Sequence, residues 1–334
     1  MRGGVFVALL SVQDLTVVFG FGSNRMTAVK DVSFKIDSGE IVGLVGESGS
    51  GKSTIGLALM GLLDSRSSRT FGQATLHEDS LLGLEGEAQR RIRGSEISMI
   101  FQEPMTALDP VFTIGSQIVE TLRSHGDMTK KQAWDDAVEL LKSVGIADPH
   151  GRMSVYPHQM SGGMRQRVMI AIALACGPKL IIADEPTTAV DVTIQAQLLE
   201  LVQKLSNDHG TSVLFITHDL GVVAEICSRM IIMYQGEIVE EGLVNDILIN
   251  PRHPYTAGLL AAIPRASNRG KRLTAIPMSN AELAGDFSGC PFSPRCAYVQ
   301  QSCLETKPEL ITRADGRSDR CLRADELQLE GALA

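Results

Sequence analysis

The chain has no long hydrophobic run. No stretch of about eighteen consecutive residues is apolar, the length that a membrane-spanning helix needs. The apolar stretch at 5–10 is too short for the core of a secretory signal peptide, and no cleavage pattern follows it. Internal repeats and low-complexity tracts are also lacking. With 334 residues, 44% of them hydrophobic, the sequence predicts a cytoplasmic protein with one large domain and a small one.

An excess of basic residues is lacking too. The chain has 31 Lys and Arg against 39 Asp and Glu, a net charge of −8. This balance disfavours non-specific binding to nucleic acid, although it leaves room for a local basic patch. Residues 1–250 hold 20 basic and 30 acidic residues, whereas 251–334 hold 11 and 9. We predict no nucleic-acid partner, and a boundary near Pro251 that is followed by a polar linker at 264–280.

Apolar runs alternate with segments of helical periodicity along most of residues 1–250. This order predicts an α/β fold with a mostly parallel sheet covered by helices on both faces. An antiparallel patch (12–19 and 33–36) precedes it, and a hairpin at 230–239 closes it. A helical subdomain is expected at about 103–160, where Thr129 and Gln132 have the spacing of a capping box. We expect buried strands at 41–45, 97–101, 180–183 and 212–217, and helices at 52–62, 129–144, 161–175 and 193–208.

A glycine-rich loop follows the apolar run at 41–45 and precedes a predicted helix. It reads Gly46-Glu47-Ser48-Gly49-Ser50-Gly51-Lys52-Ser53 and matches the full phosphate-loop pattern of nucleoside-triphosphate-binding proteins. Its backbone N–H groups can turn toward phosphates, Lys52 adds a positive charge, and Ser53 can ligate Mg²⁺. The alternative is a glycine-rich turn that matches the pattern by chance. The position of the loop between a predicted strand and a predicted helix, as the motif requires, disfavours this alternative. The residues expected to bind ATP here are Gly46, Ser48, Gly49, Ser50, Gly51, Lys52, Ser53 and Thr54.

Two adjacent acids follow the predicted buried strand at 180–183. Asp184 is placed to hold Mg²⁺, and Glu185 is placed to orient or deprotonate the attacking water. A solvated turn is the plain alternative, but such a turn does not usually follow a buried strand directly. The sequence thus predicts ATP hydrolysis with Mg²⁺.

A second candidate anion site begins a later helix. Ser161, Gly162 and Gly163 offer a hydroxyl group and exposed backbone N–H groups at a helix N-terminus. Together with the two other motifs, this stretch resembles the signature of the ATP-binding cassette (ABC) family, whose common form is Leu-Ser-Gly-Gly-Gln. Here Met164 replaces the last residue, while the serine and both glycines are kept. In that family this motif caps the ATP that is bound by the facing subunit.

The resemblance implies roles for four further residues. Gln102 is similar to the glutamine that senses Mg²⁺ and contacts the membrane subunit, and Asp191 is similar to the acid of the loop after the two adjacent acids. His218 corresponds to the histidine that contacts the γ-phosphate, so it would join Glu185 in catalysis. Phe19 is the candidate for stacking on adenine, although its strand also needs a core aromatic residue and Phe21 is nearby.

A finer resemblance points to the ATPases of dipeptide and oligopeptide importers, and specifically to the first of two paralogous subunits. It is carried by Tyr156-Pro157-His158-Gln159, by Asp184-Glu185-Pro186-Thr187-Thr188 and by Pro251-Arg252-His253-Pro254-Tyr255-Thr256. It implies a paralogous second ATPase subunit, two membrane permeases, an extracytoplasmic solute-binding protein and a location on the cytoplasmic face of the inner membrane. Importers of nickel, glutathione and opines share these features, so the solute stays open.

The main alternative is an ABC ATPase without a transport role that acts on DNA or ribosomes. Such proteins usually contain a long coiled coil between the first two motifs, or two cassettes in one chain. This chain has neither feature, and it is acidic.

Six cysteines divide into two groups. Cys176 and Cys227 stand alone among apolar residues, as small buried side chains do. The other four have the pattern Cys290-x5-Cys296-x6-Cys303-x17-Cys321, whose gaps fit a zinc site poorly. Thiolate quartets also hold iron–sulfur clusters, and the resemblance implies a [4Fe-4S] cluster in this C-terminal extension. Zinc and four unrelated thiols are the alternatives, and the cluster's role could be structural or redox-sensing.

Overall fold

The structure, a computed structural model, describes residues 8–22, 25–103, 107–187, 192–263, 276 and 288–332. Its strands are β1 (Ala8–Phe19), β2 (Met26–Asp37), β3 (Ile41–Val45), β4 (Ser68–Leu76), β5 (Asp79–Ser80), β6 (Ile97–Ile100), β7 (Leu180–Asp184), β8 (Ser212–Thr217), β9 (Arg229–Tyr234), β10 (Glu237–Leu243), β11 (Ile311–Thr312) and β12 (Ser318–Asp319).

The α-helices are α1 (Lys52–Leu59), α2 (Gly86–Ile92), α3 (Ile114–His125), α4 (Lys130–Ser143), α5 (Pro149–Arg152), α6 (Gly162–Leu174), α7 (Val192–His209), α8 (Leu220–Ile226), α9 (Val244–Ile249), α10 (Pro254–Ala261) and α11 (Gln301–Glu305). Among the described residues, every helix is too short or too polar to cross a bilayer.

The central sheet has eight strands in the order β11-β12-β10-β9-β3-β8-β7-β6. The five strands from β9 to β6 are parallel to one another, and β10, β12 and β11 extend the sheet with antiparallel pairs. The mostly parallel core sheet and the closing hairpin of β9 and β10 are therefore as predicted. Because the strands are parallel, the loops after β3, β6, β7 and β8 all leave from the same edge of the sheet.

A separate antiparallel sheet, ordered β2-β1-β4-β5, contains the N-terminal strands. In the second half of β2 alternate residues are buried, as expected for a sheet that is covered on one face, whereas register shifts along β1 bury adjacent pairs such as Leu9 and Leu10. This sheet confirms the predicted antiparallel patch and adds β4 and β5 to it.

Two helices between β6 and β7 begin with predictable caps. Thr129 and Gln132 form the complete capping box of α4, and α6 is capped by Ser161, whose Oγ accepts a hydrogen bond from the Met164 N–H at 3.3 Å. α4 ends before Gly145, which has a φ of 75°. Local sequence thus fixes both ends of α4 and the start of α6.

The central sheet separates two hydrophobic cores. Within β8, Phe215 belongs to one core while Leu214 and Ile216 belong to the other, because alternate side chains point to opposite faces. The larger core packs the sheet against the helical subdomain, and it includes Cys227 as well as Tyr255 of the C-terminal segment. The smaller core lies between the central sheet, α1 and the N-terminal sheet.

The C-terminal segment is joined to the cassette by buried polar contacts. Glu240 of β10 is fully buried, and it accepts hydrogen bonds from the backbone N–H groups of Arg252 at 2.8 Å and His253 at 3.0 Å. The Arg317 guanidinium adds a third at 2.9 Å. Burial raises the pKa of Glu240, and these donors oppose that rise. The predicted linker at 264–280 lies outside the described residues except for Ile276.

Candidate functional site

The phosphate loop connects β3 to α1 at the edge of the sheet where the parallel strands end. Gly51 has a φ of 100°, and a Cβ atom there would lie 2.5 Å from the Ala28 carbonyl oxygen. Only glycine fits this position. Within the described part of the chain, no side chain caps α1 and no acidic residue stands in its first turn. The positive end of the helix dipole is therefore left for an anion.

Lys52 is buried beneath this loop. Its ammonium group donates hydrogen bonds to the carbonyl oxygens of Gly46 at 2.8 Å and Glu47 at 3.0 Å, and to Ser50 Oγ at 3.4 Å. Burial lowers the pKa of Lys52, and the carboxylates of Glu185 and Asp184 oppose that shift. The Lys52 ammonium group thus donates to loop carbonyl oxygens, and the same N–H groups are able to donate to phosphate oxygens instead.

Ser53 and Asp184 meet beside Lys52. Ser53 Oγ donates a hydrogen bond of 2.9 Å to Asp184 Oδ1, although the two residues are 131 positions apart in the sequence. Burial raises the pKa of Asp184, and the hydrogen bond from Ser53 opposes it. A hydroxyl and a carboxylate oxygen are the ligands that Mg²⁺ prefers, and Mg²⁺ usually takes only one or two of them from protein. The donor set therefore fits Mg²⁺.

Glu185 is held between two side chains from neighbouring loops. Its Oε2 accepts a hydrogen bond of 3.1 Å from Gln102 Nε2, and its Oε1 lies 3.0 Å from His218 Nδ1. Its backbone N–H donates to the Ile216 carbonyl at 2.8 Å, and its φ of 44° is uncommon for a residue with a side chain. The ends of β6, β7 and β8 thus bring the three predicted catalytic residues into direct contact.

The second predicted anion site lies elsewhere. Ser161, Gly162 and Gly163 begin α6, and among the described residues no hydrogen bond joins them to the phosphate loop. A Cβ atom on Gly162 would meet nothing within 4 Å, so this helix start is open on its outer side. The two predicted anion-binding sites are therefore at separate places in the described structure.

Two further residues were predicted to contribute: Phe19 to stack on adenine, and Asp191 to lie in the loop after the adjacent acids. Phe19 ends β1 and packs partly against the smaller core, while Phe21 is 52% exposed and lies under the Arg69 guanidinium, 4.9 Å from its ring centre. Asp191 lies outside the described residues.

The four clustered cysteines line one cavity, which we call the four-cysteine cavity. Burial raises the pKa of Cys290 to about 11 and that of Cys321 to about 12, so these two thiols are neutral near pH 7. No disulfide links the described cysteines, and no three acidic, histidine or cysteine side chains among the described residues are grouped around a single metal ion. Four thiols on one cavity supply the donor chemistry of a multi-atom cluster. Its lining includes Cys290, Cys296, Cys303 and Cys321.

Two residues that reach the phosphate loop were missed by the sequence analysis. The Arg295 guanidinium forms a two-point ion pair with the Glu47 carboxylate, at 2.7 and 2.9 Å. Tyr255 Oη accepts a hydrogen bond of 2.9 Å from the Glu47 backbone N–H. Both residues come from the C-terminal segment, more than 200 positions away. No local pattern could have revealed them.

Comparison with known proteins places these motifs in one family. The model of the ABC transporter family matches residues 29–188, and the model of the oligopeptide/dipeptide transporter C-terminal region matches 239–303. The chain is 49% identical over 325 residues to the oligopeptide transport ATP-binding protein AppD of Bacillus subtilis (strain 168), which covers 97% of this chain and 98% of that protein. It is 48% identical over 307 residues to the dipeptide transport ATP-binding protein DppD of Haemophilus influenzae, with coverage of 91% and 92%.

Solved structures give the same result for the cassette. The ATP-binding cassette MJ0796, solved as a dimer in a post-hydrolysis state with ADP and Pi, is 30% identical with a TM-score of 0.63. The match covers 70% of this chain and 98% of that one. The structure of cbiO1 from Clostridium perfringens shares the fold with a TM-score of 0.61 at 23% identity, over 72% and 90% of the two chains. The chain therefore belongs to the ABC transporter family, as an ATP-binding and ATP-hydrolysing protein whose C-terminal region is that of the oligopeptide/dipeptide transporters.

Proposed function

We propose that this ATPase powers the import of dipeptides, oligopeptides or related small solutes through a membrane ABC transporter. The observation that carries the proposal is the assembled group of Gln102, Glu185 and His218 beside Lys52 and Ser53, in a chain that resembles peptide-import ATPases over nearly its whole length. The group supports hydrolysis, and the C-terminal region supports the type of transporter.

ATP binding is assigned to the phosphate loop and the residues beneath it. The backbone of the loop and the start of α1, together with Thr54, would surround the phosphates, while Lys52 would turn its ammonium group from the loop carbonyls to the phosphate oxygens. Ser53 and Asp184 would hold Mg²⁺, which when bound neutralises phosphate charge. Phe19 is proposed to stack on the adenine, at the end of β1.

Hydrolysis is assigned to the group around Glu185. Its carboxylate would orient the attacking water and accept a proton from it, because it is already fixed by Gln102 and His218. His218 would donate a hydrogen bond to the γ-phosphate, and Gln102 would respond to the metal. Most of the rate effect then comes from positioning and from stabilisation of charge.

The site is proposed to be completed by a second subunit. Ser161, Gly162 and Gly163 are open on the outer side of α6, which suits the capping of an ATP that is bound by a partner in a head-to-tail pair. Asp191 would lie at the same interface. The dimeric structure of MJ0796 supports such a pair. We propose a paralogous ATPase as the partner, with two permeases and an extracytoplasmic solute-binding protein, at the cytoplasmic face of the membrane.

The four-cysteine cavity is proposed to hold a [4Fe-4S] cluster with a structural role. All four thiols line one cavity, which supports a cluster with several metal atoms over four unrelated thiols. A single zinc ion needs its ligands closer together, and no such grouping occurs among the described residues. Cluster binding would also convert the neutral thiols to thiolates.

Reconstitution tests the proposed function. The full chain would be placed in proteoliposomes with the proposed paralogue, permeases and solute-binding protein, and uptake of a labelled dipeptide and a labelled oligopeptide would be measured. We expect ATP-dependent uptake that is lost when Glu185→Gln replaces the wild-type chain. ATP hydrolysis without any permease association, together with co-purification of DNA or ribosomes, would instead support the alternative ABC ATPase without a transport role.

A further inference from the structure

The C-terminal segment contacts one residue of the phosphate loop, Glu47, at both its side chain and its backbone. Arg295 grips the Glu47 carboxylate with two hydrogen bonds of 2.7 and 2.9 Å, and Tyr255 Oη accepts the Glu47 N–H at 2.9 Å. The Arg295 side chain is only 12% exposed, and Tyr255 is fully buried. A two-point guanidinium–carboxylate pair fixes orientation as well as distance. Side chain and backbone of Glu47 are therefore both positioned.

Glu47 is connected directly to the lysine of the loop. Its carbonyl oxygen accepts a hydrogen bond from Lys52 Nζ at 3.0 Å, and the same oxygen accepts the Ser50 N–H at 3.2 Å. The path from Arg295 through Glu47 to Lys52 thus consists of adjoining hydrogen bonds. A change in the position of Glu47 must change the path of the loop backbone, whose N–H groups face the phosphates.

In the described structure, the contacts to Glu47 are not the only ones that attach the C-terminal segment to the cassette. That segment also pairs β12 with β10, and it places Arg317 on the buried Glu240. A comparable two-point pair, between Arg313 and Asp319 at 2.8 and 3.0 Å, lies entirely within the segment. Among these contacts, those to Glu47 are the ones that reach the phosphate loop.

Aromatic packing makes the Arg295 side a rigid support. The ring of Tyr234 lies 4.8 Å from that of Tyr255 and 5.2 Å from that of Phe292, and the Arg295 guanidinium lies 5.7 Å from the Tyr234 ring. All three rings belong to the larger core, whose close packing restrains their positions.

We propose that Arg295 and Tyr255 are positioning residues for the phosphate loop, and that through Glu47 the C-terminal segment sets the affinity of the ATPase for nucleotide. The proposal rests on the proposed role of this loop in binding ATP. It assigns to the C-terminal segment an effect on the nucleotide site itself, in addition to any role of the four-cysteine cavity.

Direct nucleotide binding on the full chain tests the proposal. A fluorescent ATP analogue is titrated against the wild type, Arg295→Ala and Arg295→Lys. We expect Arg295→Ala to raise Kd about threefold to tenfold, a typical size for indirect coupling, and Arg295→Lys to have a smaller effect because it keeps the charge but loses the two-point geometry. KM for ATP should rise in parallel, while kcat at saturating ATP stays near the wild-type value.

Arg313→Ala is the matched control. It removes the pairs that Arg313 makes with Asp319 and Asp325 within the same segment, neither of which touches the phosphate loop, so the Kd of this variant should equal that of the wild type. A rise in Kd as large as that of Arg295→Ala would show a general loosening of the segment and would overturn the proposal.

A double-mutant cycle and a conservative variant complete the test. Arg295→Ala should add little to the Kd of Glu47→Ala, since both remove the same pair. Tyr255→Phe keeps the ring but removes the acceptor, and should raise Kd by a smaller factor. If Arg295→Ala does not fold, Arg295→Lys and Tyr255→Phe decide the matter. If the folded variants bind ATP with the affinity of the wild type, the inference is wrong. If the wild type itself does not bind ATP, the proposed function is contradicted.

Discussion

Two regions of the molecule bring reactive side chains together: the edge of the central sheet that carries the phosphate loop, which we call the phosphate end, and the four-cysteine cavity. They differ in whether their ionisable side chains are already paired. At the phosphate end, Lys52, Asp184 and Glu185 already have hydrogen-bond partners within the chain. In the cavity, burial raises the pKa of Cys290 to about 11 and that of Cys321 to about 12, which keeps these two thiols neutral near pH 7. The charged groups of the first site are thus already paired, whereas these two thiols of the second site are held in their uncharged form.

The two regions differ also in how the chain builds them. The phosphate end uses loops that leave neighbouring parallel strands, so short segments meet at a common edge. The cavity uses short loops and turns of the C-terminal segment, which rest on the larger core through Phe292. The ion pair between Glu47 and Arg295 joins them, because Arg295 directly precedes Cys296. The following predictions separate the two regions, from the largest expected effect to the smallest.

Glu185→Gln should remove turnover and leave ATP bound. Without the base, the rate of phosphate release should fall by roughly 10²- to 10⁴-fold, the usual share of a general base. Phosphate release and retention of radiolabelled ATP measure the two effects. Glu139→Gln, on the exposed face of α4, is the control and should be fully active. Hydrolysis by Glu185→Gln at the wild-type rate would refute the assignment of the base.

Lys52→Ala should weaken nucleotide binding rather than the chemistry alone. Loss of a charged donor to phosphate costs about 1.5–3 kcal/mol, or roughly 10- to 100-fold in Kd. Equilibrium binding of ATP measures the change in Kd. Lys142→Ala is the control, because Lys142 forms only an exposed ion pair on α4 in the described structure. An unchanged Kd would contradict the proposed phosphate contact. Neither variant should alter the four-cysteine cavity.

Cys303→Ser should affect the cavity and spare the chemistry at Glu185. If the cavity holds a cluster, anaerobically purified wild type should absorb at roughly 400 nm, and the variant should lose this band. Iron and sulfide analysis with thermal unfolding gives the measurement, and Cys176→Ser, outside the cavity, is the control. If the wild-type protein contains zinc and no iron or sulfide, the cluster hypothesis is wrong and the zinc alternative is supported.

The buried His253 should make stability depend on pH. Burial lowers the pKa of His253 to about 3, and its Nδ1 accepts the Tyr255 N–H at 3.1 Å, so the folded chain holds the neutral ring. The unfolded chain binds the proton below about pH 6.5, so unfolding free energy should fall as pH drops below that value, by at most about 1.4 kcal/mol per pH unit.

Comparison with a variant isolates the contribution of His253. His253→Asn keeps a hydrogen-bond acceptor for the start of α10 but does not titrate. Urea unfolding between pH 7 and pH 5 should show a smaller loss of stability for the variant than for the wild type. An equal loss in both chains would mean that this ring does not contribute to the acid sensitivity.

Local sequence determined much of the cassette. The order of strand, glycine-rich loop and helix predicted the surroundings of Lys52, and the apolar run before Asp184 predicted its place at the end of a buried strand. Thr129 and Ser161 cap the helices that they were expected to begin. These features depend on backbone geometry and on hydrogen bonds between residues only a few positions apart, so the sequence nearby is sufficient to specify them.

Only the tertiary structure decided how distant parts meet. The pairing of β12 with β10, and the contacts of Tyr255 and Arg295 with Glu47, join residues that lie as many as 248 positions apart. The sequence by itself determined the phosphate loop, the adjacent acids and the helix caps. The folded chain alone determined that the C-terminal segment holds the loop, because such contacts depend on packing of the whole core and leave no periodic or local pattern.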